Sequence, residues 1–597
     1  MLINIVMKDK SALVIFGDDP PRGWLQSVCQ YNVVVASEKL RTEVEARNLV
    51  WIDIEKLVSP GSIYEATSFL EELSRLKHDD GSRLSKSCIY EGYELWWLHY
   101  DSLFLYFCLP YTQYKNLLTY LKDFQNVHFY RPTYKNLFAY YLQAYGSEMV
   151  ILREPGLKSP TFLPFGVLLQ ILITLLCLPI LAIRKSRLMV YTGDKFEKSK
   201  DYDFRMRFIY EELRQRKIPF VEFIRGLESW EIVLKHAFMR RRPVIYSEAV
   251  AFVGKFCSFL SGGRYRAKQE FCVRRFSPET DPEVRFKFLI ASQYLFSVYD
   301  DVWAIRIMKW ILRVIGIKSA FIPSATERNF HAVLGCKLNT IPTVGILHGV
   351  ASRFYNGYDF LPGFDGEKVL SVDKYGLWSE WWRHYYLENS NAYRPEQLYV
   401  SGPMRPLLNK IAQPIQESVY GSIKVLFVSE QLAVPSEILP YLQSLIEANG
   451  ISISMTVRPY RDGFEEWLKQ HNPEILEKIG DANIIRTGIQ DAIARSEVVV
   501  GAHSTSVIEA LLSLKVPIYL RTQKWGDYYN LSEYDKKRSF FAESPKDLIE
   551  KIQNVRSVPP SVLKDLRERY FGDSYKNGSK WVVDQLEDKL LKGRVTK

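Results

Sequence analysis

The stretch Gly501-Ala-His-Ser-Thr-Ser-Val-Ile-Glu-Ala510 concentrates the side chains best suited to holding an anion. It follows the apolar run Val498-Val-Val500, so the pattern predicts a buried strand, a polar loop at His503, Ser504, Thr505 and Ser506, and a helix from Val507. Hydroxyls and backbone N–H groups at a helix start, with the helix dipole behind them, make a phosphate site. Ser506-Val-Ile-Glu509 also reads as a capping box in which Glu509 reaches back to the cap, and the two readings compete for Glu509. A second group lies at Thr343-Val-Gly-Ile-Leu-His-Gly349. An imidazole at such a strand end can take a proton or stabilise charge on a departing phosphate; the alternative is a structural histidine satisfied by backbone in a tight turn. A third, Tyr90-Glu-Gly-Tyr-Glu-Leu-Trp-Trp-Leu-His-Tyr-Asp101, sets Glu91, His99 and Asp101 among aromatic rings. Such surroundings suit a sugar or an amphipathic acceptor, and the same pattern describes an amphipathic helix with an aromatic core face.

These groups need a scaffold to bring them together. At 597 residues the chain exceeds what one core supports, and three or four units are expected. Residues 1–157 read as an N-terminal α/β domain, with strands at 12–16 and 33–36 and a helix over 65–76. Residues 188–415 read as a first α/β lobe, with strands at 188–193, 220–224, 318–323 and 343–347 and helices at 204–216 and 329–336. Residues 416–597 read as a second lobe with C-terminal helices, its strands at 424–428, 451–457, 483–486, 498–500 and 517–520. Two successive parallel sheets imply a cleft between lobes, and ligands of such sheets bind beyond the carboxyl ends of the strands.

Between the N-terminal unit and the first lobe, residues 158–187 form an apolar segment. Phe162 to Ile183 carries no charge over 22 residues and is closed by Arg184-Lys-Ser-Arg187. About 20 such residues suffice to cross a bilayer. Pro164, Gln170, Thr174 and Pro179 interrupt the span, and a crossing would export an N-terminal region that holds unpaired cysteines. An in-plane, monotopic attachment is therefore expected over a crossing. A buried core helix is the other reading.

Composition narrows the partners. The apolar fraction is 47%, the charged fraction 25% and the net charge +11, from 79 basic and 68 acidic residues. That balance is globular, and the excess charge points to an anionic partner. With no zinc-finger spacing, ribonucleoprotein motif or basic arm, a membrane surface and nucleotide phosphates are expected and nucleic acid is not. Seven cysteines lack any Cys-x-x-Cys pair, which fits reduced thiols in the cytoplasm. Met1-Leu-Ile-Asn-Ile-Val-Met-Lys8 is too short an apolar run for a signal peptide. The expected location is the cytoplasmic face of the cell membrane. Asp201-Tyr-Asp203 has the form of a metal-binding pair but stands in a polar segment, so neither metal nor cofactor is expected.

The loop at His503–Glu509 resembles the donor-binding loop of bacterial surface-polysaccharide glycosyltransferases of capsule and lipopolysaccharide type, with the GT-B fold. The group includes sialyltransferase-like enzymes and CDP-glycerol glycerophosphotransferases. Ile341 to Val350, Tyr399-Val-Ser-Gly-Pro-Met-Arg405 and Val425-Leu-Phe-Val-Ser-Glu-Gln431 match in the expected order, so the resemblance covers roughly residues 187–560. It implies two Rossmann-like lobes that bind a nucleotide-sugar donor for transfer to a glycan or lipid-linked acceptor. It implies contacts to the donor from Gly349, His503, Ser504, Thr505, Ser506 and Glu509, and places His348 at the reaction. Glu91 and Asp101 stand as acceptor-side catalytic candidates. Relatives often carry Lys-Pro-His-Pro where this chain has Arg458-Pro-Tyr-Arg461, so phosphate binding there falls to Arg458 and Arg461. Polyol-phosphate transfer and a non-catalytic scaffold for glycan assembly are the alternatives; a soluble sugar-nucleotide epimerase fits the apolar segment poorly.

Overall fold

The computed structural model describes the chain apart from residues 1–9, 21–27, 153–164, 185–186, 194–205, 226–229, 232, 235–242, 271–278, 325–328, 348, 350–351, 355–356, 405–420, 430–433, 458–462, 487, 530, 532–539, 574 and 596–597. The N-terminal sheet comprises β1 (Ser11–Ile15), β2 (Val33–Ala36), β3 (Val50–Asp53), β6 (Asn126–Tyr130) and β7 (Glu148–Leu152), in the order β3-β2-β1-β6-β7. A two-stranded hairpin, β4 (Ile89–Tyr90) with β5 (Tyr93–Glu94), stands apart from it. All pairs in the large sheet are parallel. Val33-Val-Val-Ala36 is buried throughout, as befits a parallel strand covered on both faces.

The first lobe holds β8 (Leu188–Thr192), β9 (Phe220–Ile224), β10 (Val244–Tyr246), β11 (Ser319–Phe321), β12 (Thr343–Ile346), β13 (Lys374–Leu377) and β14 (Leu398–Val400). Their order is β10-β9-β8-β11-β12-β13-β14. The second lobe holds β15 (Ile423–Val428), β16 (Ile451–Thr456), β17 (Ile484–Ile485), β18 (Val498–Gly501), β19 (Val516–Leu520) and β20 (Phe541–Ala542), ordered β17-β16-β15-β18-β19-β20. In each lobe the first strand sits centrally and the chain then reverses direction across the sheet. That doubly wound order leaves a crevice at the strands' carboxyl ends.

The apolar segment forms one helix, Phe165–Arg184, with Pro179 inside its last turns. It lies along β10, the edge strand of the first lobe, and the Thr174 hydroxyl accepts from the Tyr246 N–H at 3.1 Å. An edge strand presents unpaired backbone groups, and this helix covers one of them.

The closing helix, Gly578–Val595, packs against β11, β12 and β13 of the first lobe. The sequence groups it with the second lobe; its apolar residues Val582, Val583 and Leu586 belong instead to the core of the first. Gly376 in β13 permits this approach, since a Cβ there would stand 2.7 Å from Trp581. The N-terminal unit touches both lobes. The helix Ile63–Ser74 begins at Ile63, whose N–H donates to the Lys524 carbonyl of the second lobe at 3.1 Å. Thr67, one turn on, donates to the Phe354 carbonyl of the first.

Candidate functional site

Val498-Val-Val-Gly501 is a central strand paired with β15 and β19 and buried along its length. It delivers the chain to His503 at the carboxyl end of the sheet. Two tyrosines fix the loop there: Tyr529 donates to the His503 carbonyl and Tyr519 to the Ser504 carbonyl, each at 2.8 Å. The His503 ring lies flat on Trp525, with centroids 3.9 Å apart and planes 12° apart.

The turn that follows differs from its expected form. The helical residues are Thr505–Ile508, continued by a 3-10 turn over Glu509–Ser513, so helix begins before Val507 and is short. The N-cap is Ser504, whose hydroxyl accepts from the Ser506 N–H at 3.2 Å. Ser506 therefore lies inside the first turn and forms no capping box with Glu509. Glu509 instead accepts from the Gln490 amide at 2.7 Å. With both neighbouring carbonyls held by tyrosines, the cap falls two residues earlier than the sequence pattern places it. Ser504 and Ser506 are buried, while His503, Thr505 and Glu509 are half-buried.

Across from this turn stands the end of β12. Gly345 lies where a Cβ would meet the Ile322 and Pro323 carbonyl oxygens at 2.8 Å, so the strand packs tightly against its neighbour. Leu347 donates its N–H to the Gly376 carbonyl and accepts from the Trp378 indole. His348 itself lies outside the described residues. Gly349, next to it, faces the second lobe, and a Cβ there would stand 3.8 Å from the Thr505 hydroxyl oxygen. The two loops singled out by sequence thus meet from opposite lobes. Arg458 and Arg461, which follow β16, lie outside the described residues, as do Tyr460, Asp201 and Asp203.

The N-terminal unit supplies a wall that the sequence did not reveal. Tyr64 packs against Phe354, with ring centroids 4.2 Å apart and planes tilted by 45°, and closes on Gly526, where a Cβ would stand 2.7 Å from its ring. Gly526 adjoins Trp525, the ring under His503, and Phe354 follows Gly349 by five residues. Burial pushes the Tyr64 phenol up to about 12. The phenol stays neutral throughout the physiological range.

Asp359 is buried, and among the described residues no cation pairs with it. It accepts from Tyr375, Tyr386 and Tyr393 at 3.0 to 3.1 Å, and burial raises its carboxyl to about 6. The neighbouring Tyr358 phenol bonds to Ser324 and is raised far up by burial and by the Asp359 and Asp101 carboxylates, against the opposing Arg225 guanidinium. Arg225 and Ser324 follow β9 and β11, and the short helix Tyr100–Leu103 that carries Asp101 packs against the turn Gly357–Asp359. Glu91 goes elsewhere. It occupies the exposed tip of the β4–β5 hairpin at φ +52°, and its carbonyl accepts from Lys368.

Tyr90 to Asp101 is not an amphipathic helix. It is that hairpin, then a 3-10 turn Leu95–His99, then the short helix Tyr100–Leu103. The Trp96 and Trp97 indoles need acceptors once buried and find them at the Ala291 carbonyl and the Glu94 carboxylate, 2.9 and 3.0 Å away. His99 pairs with Asp301 at 2.7 Å. Among the described residues no three His, Cys, Asp or Glu side chains converge as metal ligands would.

Two Rossmann-ordered lobes joined at their facing loops, with a C-terminal helix returning to the first, constitute a GT-B fold. No protein-family model and no curated protein matches the sequence. Solved structures do resemble it. UDP-GlcNAc 2-epimerase from Neisseria meningitidis, bound to UDP-GlcNAc, is 12% identical with a TM-score of 0.39, over 68% of this chain and 100% of that one. A glycosyltransferase from Rickettsia africae is 11% identical at a TM-score of 0.38, over 68% and 97%. An Anabaena protein in complex with UDP and glucose is 10% identical at 0.38, over 68% and 100%.

Proposed function

We propose that the protein is a glycosyltransferase that moves a sugar from a nucleotide-activated donor to a cell-surface polysaccharide or lipid-linked acceptor at the cytoplasmic membrane face. The observation that carries this reading is Gly349 facing Thr505 between two doubly wound lobes. In this reading the donor phosphates lie at the turn of the second lobe, against His503 and Thr505, with Ser504 and Ser506 holding its shape. Arg458 and Arg461 add guanidinium charge from the segment after β16. His348, beside Gly349, takes the acceptor proton or stabilises the departing phosphate. Fixed dipoles and cations in a closed cleft can perform that stabilisation without a metal ion.

Thermal-shift measurements with CMP, CDP, UDP and GDP test donor binding. Stabilisation by one nucleotide is expected, and its base identifies the donor; no stabilisation by any of them leaves a scaffold. His348→Ala should lower transfer at least about 100-fold while leaving the unfolding temperature in place. Unchanged turnover would remove His348 from the chemistry.

A further inference from the structure

The helix Phe165–Arg184 divides lengthwise. Val167, Gln170, Thr174, Leu178 and Leu181 pack onto the first lobe. Leu168, Leu172, Leu175, Leu176, Ile180 and Ile183 stand exposed on the other side, up to 81% for Ile183. The neighbouring helix Ser247–Leu260 packs against it and exposes Phe256, Phe259 and Leu260. The two helices thus expose more large apolar side chains than solvent exposure favours. A helix of 20 residues is about 30 Å long, so the strip could span a bilayer by length. Its inner side is fastened along β10.

Beside this surface lies a cavity of about 770 Å³. Glu248, Ala251 and Lys255 face it from the Ser247–Leu260 helix, and Arg264 and Lys268 from the helix Gly263–Glu270. Residues 248, 251 and 255 recur at helical spacing, and Phe252, Phe256 and Phe259 form the adjoining stripe of the same helix. Asp301 is engaged by His99 at 2.7 Å and Asp300 by Arg264 at 3.3 Å. Among the described residues, no ion pair engages Lys255 or Lys268. Both lysines line the cavity beside the apolar helices, and a lysine so placed can lay its stem along hydrocarbon while its head meets an anion.

We propose that this cavity takes the phosphate head of a lipid whose chain lies with the apolar face in the bilayer, and that this lipid is the acceptor. The inference rests on the transferase reading for the acceptor's role, while lipid binding itself is measured without any nucleotide. The cavity is lined by Glu248, two residues after β10, so a head group held at that end sits near the carboxyl end of this first-lobe strand.

Flotation of the full chain with vesicles of phosphatidylcholine alone, with added oleate, or with added farnesyl phosphate tests the proposal. Oleate carries charge without phosphate. Farnesyl phosphate should bind the protein about tenfold more tightly than oleate at matched surface charge, because surface attraction then cancels and only hydrogen bonding of the lysines to the phosphate discriminates. Lys255→Ala with Lys268→Ala should reduce binding to the oleate level, and Leu172→Asp with Leu176→Asp should abolish flotation on all vesicles. Circular dichroism of each variant checks that it is folded. Equal binding to oleate and farnesyl phosphate, retention of the preference by the lysine variant, or a lipid-free dimer that never floats would each overturn it. Nucleotide stabilisation without lipid binding would sink this inference and leave the donor site standing; the converse would spare the lipid site alone.

Discussion

Asp359 is a carboxyl group placed where its charge is least welcome. Three tyrosyl hydroxyls surround it, and burial raises it from 3.8 to about 6. The folded protein therefore holds this proton over a range in which the unfolded chain has released it. Stability falls as pH rises from about 4 to about 6 and levels off above, a loss of about 3 kcal/mol from this group. Asp359→Asn removes the titration while keeping a hydrogen-bonding group of the same shape. Urea unfolding at acidic and neutral pH should show a flatter profile for the variant, and an unchanged slope would contradict the account. At Gly349 the expected effect is on binding. Gly349→Leu would extend a side chain toward Thr505 and block the gap, weakening nucleotide stabilisation in thermal shift with little change in the unliganded protein. The residue pattern located the His503–Ser506 loop and its partner at Gly349, because strand ends are legible from apolar runs. It misplaced the cap because Tyr519 and Tyr529, distant in sequence from the loop's own pattern, set where the turn begins.

At the scale of elements, the strands rich in consecutive valines and isoleucines were readable, as at Val33–Ala36 and Val498–Gly501. Strands such as Lys374-Tyr-Gly-Leu377 were not, since neither an apolar run nor alternation distinguishes them from a loop. Their identity comes from parallel pairing with neighbours remote in sequence. The apolar helix was legible as an element, but its inner face was not. Thr174 and Gln170 looked like interruptions of a membrane span, yet they mark the side turned to the protein. Thr174→Val should cost about 1–3 kcal/mol by leaving the Tyr246 N–H without its acceptor, measured as thermal destabilisation. Wild-type stability in that variant would show that the edge strand finds another acceptor.

At the scale of the molecule, the N-terminal unit bridges the lobes rather than hanging from one of them. Its contacts at Lys524 and Phe354 fasten both sides of the cleft, and Tyr64 fills the junction. If the cleft is that of a transferase, as proposed above, exclusion of water from it favours transfer over hydrolysis of the donor. Tyr64→Ala should therefore raise the ratio of donor hydrolysis to transfer, read by comparing nucleotide release with and without acceptor. An unaltered ratio would assign Tyr64 to packing alone. Sequence reading assigned this unit to the acceptor and gave no sign of the bridge, because the contacts join segments hundreds of residues apart.

The docking of helix Gly578–Val595 onto β11, β12 and β13 sets an order of events during synthesis. One face of the first lobe, including Leu188, Val190, Phe321, Val344 and Ile346, shares its core with Val582, Val583 and Leu586. A ribosome adding ~5–20 residues per second needs on the order of ten to forty seconds to travel from Met404 to Val582. Through that interval a nascent first lobe exposes an apolar sheet face, while the second lobe emerges and folds behind it. This face of the first lobe therefore completes its core only once the helix Gly578–Val595 has been made.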